Sequence, residues 1–318
     1  MATTTSDAID LLTASGIAVE VKSFTEAEIA GRHARLRTRQ TPPSPSAIAA
    51  ERNDHVVVYV VPRVTESLAR LAADDANIAV VATTEGIVWW NRKRYEPEPR
   101  QLQASTQRGK TPWARFGLIR ALARTRRPRT QRELAVEVGV TQAAISQNLH
   151  RLGEHAQKSS EGWFTTDPQT LANLFLTDYP GSGGITQYWY GLDPIIRQAQ
   201  LASNHDKTVL WSGDAAADLL VPWRTPRMAV VYARTGLRLA SDGFAESTSN
   251  KATLAVTVPA DPTIWPVAAA YGRRRNHDNL IVDPVLCAHD VRQSGGSDSD
   301  QAVQRLIRHT VDEWHRGD

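Results

Sequence analysis

Hydrophobic residues recur at intervals of three and four over three short stretches in the middle of the chain, between residues 112 and 152. This spacing predicts three amphipathic helices, each with one face turned towards a shared core. The predicted inward positions are Trp113, Phe116, Ile119 and Leu122 in the first helix, Leu134, Ala135 and Val138 in the second, and Ile145, Leu149 and Leu152 in the third.

The residues between these stretches predict how the helices begin and end. Thr130 and Glu133 have the spacing of a capping box at the start of the second helix. Gly139 stands where the chain must turn sharply, with a positive φ that a side chain would disfavour, and Thr141 can cap the third helix. Ser160-Glu161-Gly162 makes a turn between Gln157-Lys158 and Trp163-Phe164-Thr165, which predicts a small hairpin wing. The sequence therefore predicts a winged helix-turn-helix over residues 112–167.

The outer face of the predicted third helix is short, polar and uncharged. Gln side chains can pair bidentately with adenine, and the Ala methyl can contact a thymine methyl. This face suits base recognition in the major groove better than solvation alone. The predicted base-reading residues are Thr141, Gln142, Ala143, Ser146 and Gln147.

Charge is concentrated in the same part of the chain. Residues 105–155 carry ten Lys or Arg against three Glu, whereas the whole chain has a net charge of only +3. A basic segment in a mildly acidic remainder favours contact with a phosphate backbone. A helical subdomain without a ligand is the alternative interpretation, but it leaves the charge unexplained. The residues expected to hold phosphates are Lys110, Arg115, Arg129, Arg132, Arg151 and Lys158.

The segment Q-R-E-L-A-V-E-V-G-V-T-Q-A-A-I-S-Q-N-L resembles the helix-turn-helix of bacterial repressors, including those of phages. Ala135, Gly139 and Ile145 occupy the positions that this family keeps small, turning and buried. The resemblance implies a sequence-specific transcriptional regulator of double-stranded DNA. Because one winged module buries little DNA surface, we expect a homodimer.

Residues 1–100 have the pattern of a small α/β domain. A helix is predicted at 7–15 and a strand at 17–23, followed by a loop at 32–46. The apolar run 55–61, a helix at 65–73 and a strand at 77–82 predict a crossover unit with parallel strands. Another strand is predicted at 86–90, and a linker is expected at 101–111.

An alternative function comes from Asp10, Glu20 and Lys22. An acid followed by E-x-K is the metal-binding layout of restriction-endonuclease-like nucleases, in which two carboxylates hold Mg²⁺ and a lysine assists the attacking water. Asp10 falls on a predicted helix, however, and E-x-K triplets are abundant. We therefore favour a degenerate domain of that architecture over an active Mg²⁺-dependent DNA nuclease.

Residues 168–318 predict a second α/β domain, which begins with a helix at 168–177 and ends with one at 299–314. A strand is predicted at Cys287-Ala-His289-Asp290. Several segments of this domain carry a resemblance to a known family: Val209-Leu-Trp-Ser-Gly-Asp-Ala-Ala-Ala-Asp218, Pro222, the strand that ends at Tyr232, Asp283-Pro-Val285 and Gly295-Gly296 before the final helix. Together with the winged module, they resemble actinobacterial antitoxin-like regulators of the type IV, abortive-infection kind, which usually carry the winged module near the N-terminus. The resemblance implies, as an alternative function, an antitoxin adapter that binds a toxin. For the regulator we expect the flanking α/β domains to serve pairing or the sensing of a protein or small-molecule effector.

Composition adds limits to this picture. Cys287 is the only cysteine, which excludes an internal disulfide and fits a reducing cytoplasm. No apolar run approaches about 20 residues, so we expect no membrane span. The nine histidines lack metalloprotease spacing, and we predict neither a metal nor a cofactor. The sequence thus predicts an α/β plus α protein that is not an enzyme, in which a central winged helix-turn-helix is flanked by two small α/β domains.

Overall fold

The computed structural model describes residues 5–23, 25–51, 55–97, 111–272 and 280–317. Within these ranges the chain forms twelve α-helices and three β-sheets, a mixed α/β architecture. The predicted linker at 101–111 lies outside the described residues except for Thr111. In the part of the chain described, no helix has both the length and the apolar character needed to cross a membrane.

The first part of the chain folds around a seven-stranded sheet whose strands follow sequence order. The strand pairs β3–β4 and β4–β5 are parallel and the other pairs are antiparallel. The crossover predicted from residues 55–82 is therefore confirmed. The strands are β1 (Val19–Ser23), β2 (Glu26–Ile29), β3 (Arg32–Thr38), β4 (Val56–Val61), β5 (Ile78–Ala82), β6 (Ile87–Trp90) and β7 (Lys93–Tyr95), with helices α1 (Thr5–Ala14), α2 (Pro45–Ala50) and α3 (Glu66–Asp74).

Strand β4 is buried along its whole length because helices cover both faces of the sheet. Val56, Val58 and Val60 belong to a core that includes residues of α1, whereas Val57 and Tyr59 belong to a separate core on the opposite face. Alternate residues of a strand point to opposite faces, so a continuous apolar run is what two covered faces require. This explains why residues 55–61 lack polar alternation.

The prediction of a loop at 32–46 is wrong. Residues 32–38 form strand β3, in which Ala34 and Leu36 are buried while Arg35 and Arg37 lie on the other face, and α2 begins at Pro45. The charged residues of this segment obscure the alternation of buried and more exposed positions that is typical of a strand. Strands β2 and β7 were likewise not predicted, since each is only three or four residues long.

The second sheet has five strands in the order β11-β12-β14-β10-β13. Its strands are β10 (Ile185–Tyr190), β11 (Leu210–Ser212), β12 (Ala229–Tyr232), β13 (Ala245–Glu246) and β14 (Leu254–Val258), and the helices after the hairpin region are α7 (Pro168–Asp178), α8 (Ile195–His205), α9 (Gly213–Leu220), α10 (Ile264–Gly272), α11 (Pro284–Ser294) and α12 (Ser299–Arg316).

The prediction that Cys287 and His289 lie on a strand is wrong, because both are buried in α11. Asp283 caps this helix by accepting a hydrogen bond from the backbone N–H of Leu286 at 3.2 Å, and Pro284 occupies its first turn. An N-cap Asp followed by Pro is a helix-start signal. Asp283 and Pro284 therefore mark the start of a helix in the sequence itself.

The two α/β parts are joined by contacts as well as by the chain. Ile185 and Val258 of the second sheet pack into the core beneath the first sheet. The backbone N–H of Gly236 donates to the carbonyl of Val21 at 2.9 Å, on strand β1, which is the edge strand of the seven-stranded sheet. A loop of the C-terminal part thus covers part of that edge.

The three predicted central helices are α4 (Trp113–Arg124), α5 (Gln131–Val138) and α6 (Gln142–Leu152), followed by a two-stranded hairpin of β8 (Gln157–Lys158) and β9 (Trp163–Phe164). Their buried side chains belong to one continuous core with those of α7, α11 and α12. Helix α4 has no free face between Phe116 and Ala123. The three helices therefore do not possess a core of their own.

Gly117 allows α4 to lie close to its neighbours. A Cβ at this position would lie 2.6 Å from Val138 Cγ1 and 2.9 Å from Thr263 Cβ. Contacts this short leave no room for a methyl group unless the helices separate.

We expect Gly117→Ala to lower the free energy of unfolding by about 1–3 kcal/mol, because overpacking outweighs the better helix propensity of Ala. Gly272→Ala is the matched control, since Gly272 is the last residue of α10 and, outside its own helix, no atom of the described residues would come within 4 Å of its Cβ. The control should change stability by less than about 0.5 kcal/mol. Urea unfolding of the full chain measures both. Equal stabilities of the two variants would contradict the close packing.

Candidate nucleic-acid interface

Helix α5 begins with the capping box that the sequence predicts. Thr130 Oγ1 accepts from the backbone N–H of Glu133 at 3.2 Å, and the backbone N–H of Thr130 donates to Glu133 Oε2 at 2.7 Å. The backbone N–H of Thr130, together with its hydroxyl at 2.9 Å, donates to the Glu133 carboxylate and lowers the pKa of Glu133, because these bonds stabilise the charged form. Two backbone donors at the helix start are thereby satisfied.

The turn between α5 and α6 is fixed by Gly139. Its φ is 73°, and a Cβ here would lie 2.4 Å from Cγ of Pro266 on α10. Both the backbone conformation and the neighbouring ring therefore exclude a side chain. Thr141 then caps α6 by accepting from the backbone N–H of Ala144 at 3.2 Å.

Helix α6 separates cleanly into an inner and an outer face. Ile145, Leu149 and Leu152 are buried as predicted, and Asn148 is buried with its Nδ2 donating to the carbonyl of Ala144 at 2.8 Å. The proposed base-reading positions lie together on the other face. Thr141, Gln142, Ala143 and Gln147 are exposed, Ser146 is half-buried, and the exposed His150 extends the same stripe.

The hairpin is attached to the segment that precedes α5. Arg129 and Trp163 exchange two backbone hydrogen bonds, of 2.9 and 2.7 Å. Gly162 has a φ of 140°, and a Cβ there would lie 2.4 Å from the carbonyl carbon of Arg129. The hairpin therefore holds a defined position beside the start of α5.

Arg129 must be removed from the predicted phosphate contacts. Only 4% of this residue is exposed, and Nη1 donates to both carboxylate oxygens of Glu137 at 3.3 Å. Burial lowers the pKa of Arg129 to about 10, against the opposing effect of the Glu137 carboxylate. Arg124 donates to the same carboxylate, at 3.2 Å from Nε and 2.7 Å from Nη2. Much of the charge in the basic segment is thus used inside the protein.

The remaining predicted phosphate contacts differ in their surroundings. Arg115 is half-buried and pairs with Asp178 at 2.8 Å, so an external phosphate would have to compete with that carboxylate. Lys110 lies outside the described residues. Arg132, on the first turn of α5, Arg151, on the last turn of α6, and Lys158, in the hairpin, are exposed. These three exposed cations thus lie on α6 itself and on the two elements next to it in the chain, α5 and the hairpin.

The nuclease residues Asp10, Glu20 and Lys22 do not form a metal site. Glu20 is half-buried and forms ion pairs with Lys22 and with Arg238 of the C-terminal part, and Lys22 also lies 3.7 Å from Glu28. Asp10 is on α1, as expected. Among the described residues, no group of three or more His, Cys, Asp or Glu side chains could hold a metal ion. The Glu20 carboxylate of the E-x-K triplet is therefore paired with two cationic side chains, those of Lys22 and Arg238.

A buried polar network in the C-terminal part was not predicted. Asp290 accepts hydrogen bonds from Ser212 at 2.5 Å and from Tyr232 at 2.7 Å, and its other oxygen lies 3.0 Å from His289 Nδ1. Burial raises the pKa of Tyr232, and the nearby Asp290 carboxylate adds to that effect. These groups satisfy each other inside the protein, where unpaired polar atoms would be costly.

The shared carboxylate of Glu137 gives a test of the internal pairing. Glu137→Gln leaves two arginines, one of them almost fully buried, without their counter-charge. We expect the free energy of unfolding to fall by about 3–5 kcal/mol. Glu154→Gln, at an exposed glutamate just beyond α6, should change it by less than about 0.5 kcal/mol. Chemical denaturation measures both, and a near-neutral Glu137→Gln would show that the two arginines do not depend on this carboxylate.

Comparison with known proteins adds no assignment to this geometry: no protein-family model, no curated protein and no solved structure matches the chain.

Proposed function

We propose that the chain is a sequence-specific, double-stranded-DNA-binding transcriptional regulator built around a winged helix-turn-helix. The proposal rests on the exposed polar stripe of α6. The helix that carries this stripe is held in place by its N-cap Thr141, by its buried inner face and by the turn at Gly139. Base recognition needs side chains held in register by a rigid support. A stripe that served only solvation would not need such a support.

Helix α6 would enter the major groove, which is about 12 Å wide and accepts an α-helix. Gln142 and Gln147 can each present an amide donor and acceptor to adenine, while the methyl of Ala143 can contact thymine. The hydroxyls of Thr141 and Ser146 can each donate or accept a hydrogen bond. Recognition would thus combine two amides, two hydroxyls and one methyl, without a charged side chain among them.

Arg132, Arg151 and Lys158 would hold the phosphate backbone on either side of the groove. Such contacts fix the register of a protein on the duplex and carry no sequence information. They also make the affinity depend on salt, because each neutralised phosphate releases counterions. Arg129, which is buried, has no part in this arrangement.

The flanking α/β parts would supply pairing between subunits or the sensing of a protein or small-molecule effector, and an antitoxin-like adapter would use the C-terminal part in the same way. A homodimer would double the contact with DNA and place two α6 helices in successive major grooves. The nuclease alternative receives no support from Glu20, whose carboxylate is held in ion pairs with Lys22 and Arg238.

We expect Gln142→Ala to weaken binding to the cognate duplex by about 1–3 kcal/mol and to leave binding to random duplex nearly unchanged, because it removes a base contact only. Gln304→Ala is the matched control, as an exposed Gln on α12. The cognate duplex is first selected from a random pool, with and without Mg²⁺. Fluorescence anisotropy then gives the affinities, and equal losses on both duplexes would show that α6 does not read bases.

Arg132→Ala should weaken binding to cognate and random duplexes alike and reduce the slope of log affinity against log salt by about one. The control is Arg308→Ala, at an exposed arginine of α12. Titrations at several salt concentrations measure the slope. A variant whose salt dependence stays that of the unmodified chain would remove Arg132 from the phosphate contacts.

A further inference from the structure

A cavity of about 360 Å³ lies between the α4–α5 connection and the exposed side of α5. Its volume is at the lower end of the range for small-molecule sites. Four arginines and two glutamates line it, so that cations outnumber carboxylates two to one. These residues are Arg124, Arg127, Arg129, Arg132, Glu133 and Glu137.

Both carboxylates are already engaged. Glu137 is shared between Arg124 and Arg129, and Glu133 accepts the hydrogen bonds of the capping box at Thr130 while lying 3.6 Å from Arg127. One carboxylate shared by two guanidinium groups leaves one positive charge without compensation. The floor of the cavity is formed by Arg124, Arg129 and Glu137, which are buried or half-buried, and its rim by the exposed Arg127, Arg132 and Glu133. The cavity is therefore cationic at its floor as well as at its rim.

The floor cation lies in a weakly screened environment. Arg129 is almost fully buried, and among the described residues its Nε and Nη2 have no hydrogen-bond acceptor. These two nitrogens are covered by the protein, so an anion would act on Arg129 through its charge and contact the other arginines directly. The attraction between charges is stronger at such a site than in water. An incoming anion would supply the charge that Glu137 alone does not.

We propose that this cavity binds a small oxyanion that carries a phosphate group. Guanidinium groups match phosphate oxygens in geometry and bind them by charge-assisted hydrogen bonds. Arg124 lies at the floor, whereas Arg127 and Arg132 lie at the rim. Three guanidinium groups match the charge and the several oxygens of a tetrahedral, multiply charged anion better than the two oxygens of a carboxylate. The phosphate can belong to a free phosphorylated small molecule or to a nucleic-acid backbone.

An anion bound in the cavity can affect the proposed DNA-binding face, because residues of the cavity also belong to the hairpin junction and to α5. Arg129 is one of the residues that line the cavity, and its backbone pairs with that of Trp163 in the hairpin. Arg132 lines the cavity and lies on the first turn of α5. A bound anion would therefore contact or attract residues on both sides of the junction between the hairpin and α5.

Isothermal titration of the full chain with inorganic pyrophosphate, at constant ionic strength set with chloride, tests the proposal. We expect saturable binding to one site per chain. Arg127→Gln should weaken it by about 5- to 10-fold, through loss of one charge-assisted hydrogen bond. Arg126→Gln is the matched control, since Arg126 is exposed on the same connection but lies beside Gly317 instead of the cavity.

Glu133→Gln should act in the opposite direction and strengthen pyrophosphate binding by a few-fold. Gln can still close a capping box, so the helix start is retained while a negative charge is removed. Circular dichroism checks that each variant keeps the fold. Absence of saturable binding, or equal weakening by Arg127→Gln and Arg126→Gln, would overturn the proposal.

Competition then separates the two sources of phosphate. If saturating pyrophosphate displaces a labelled random-sequence duplex, the cavity takes a backbone phosphate. If the duplex binds equally well with pyrophosphate present, or does not bind at all, saturable and Arg127-dependent pyrophosphate binding assigns the cavity to a free phosphorylated molecule. The pyrophosphate titration contains no DNA, so it remains informative even if the proposed regulator function fails.

Discussion

A buried ion pair between Arg120 and Asp283 joins helix α4 to the C-terminal part of the molecule. Arg120 of α4 is 1% exposed, and it donates to Asp283 Oδ2 at 2.9 Å and to Thr263 Oγ1 at 2.8 Å. Asp283 also caps α11, and Asp261 accepts hydrogen bonds from Thr263 and Tyr179. Because removal of either charge would leave the other buried and unpaired, α4 has few alternative orientations. The position of α6 follows from that of α4 through their shared core.

This arrangement differs from that of a DNA-binding module attached through a flexible linker. The α4 helix packs against elements of the C-terminal part on several sides, and Pro266 of α10 lies against the turn at Gly139. A change in the C-terminal part would therefore reach the proposed reading face through packed side chains. For a regulator that senses an effector, such coupling makes a separate hinge unnecessary.

Local signals were sufficient to predict α4, α5, α6 and the hairpin. Capping residues, a turn glycine and a three-to-four periodicity all act within a few residues of each other, and the structure places Thr130, Gly139 and Thr141 in the predicted roles. The exposed stripe of α6 could be predicted for the same reason.

The roles of the arginines could not be predicted in the same way. The count of charged residues shows that the basic segment is positive overall. It does not distinguish Arg132 from Arg129, although Arg132 is exposed and Arg129 pairs internally with Glu137. Glu137 lies one helical turn after the inward-facing Leu134, a hint that its carboxylate faces inward. For Arg120 no local hint of a partner existed, since Asp283 follows it by 163 residues. Long-range pairing of this kind depends on the tertiary fold.

The hydrogen bond from Gly236 to Val21 has a consequence for solubility. Outer strands of β-sheets expose unpaired backbone groups that can recruit strands from other molecules, and proteins commonly shield them. Here the shield for β1 comes from a distant part of the same polypeptide. Partial detachment of the C-terminal part would thus bare a sheet edge, and self-association would begin there before the first sheet itself unfolded.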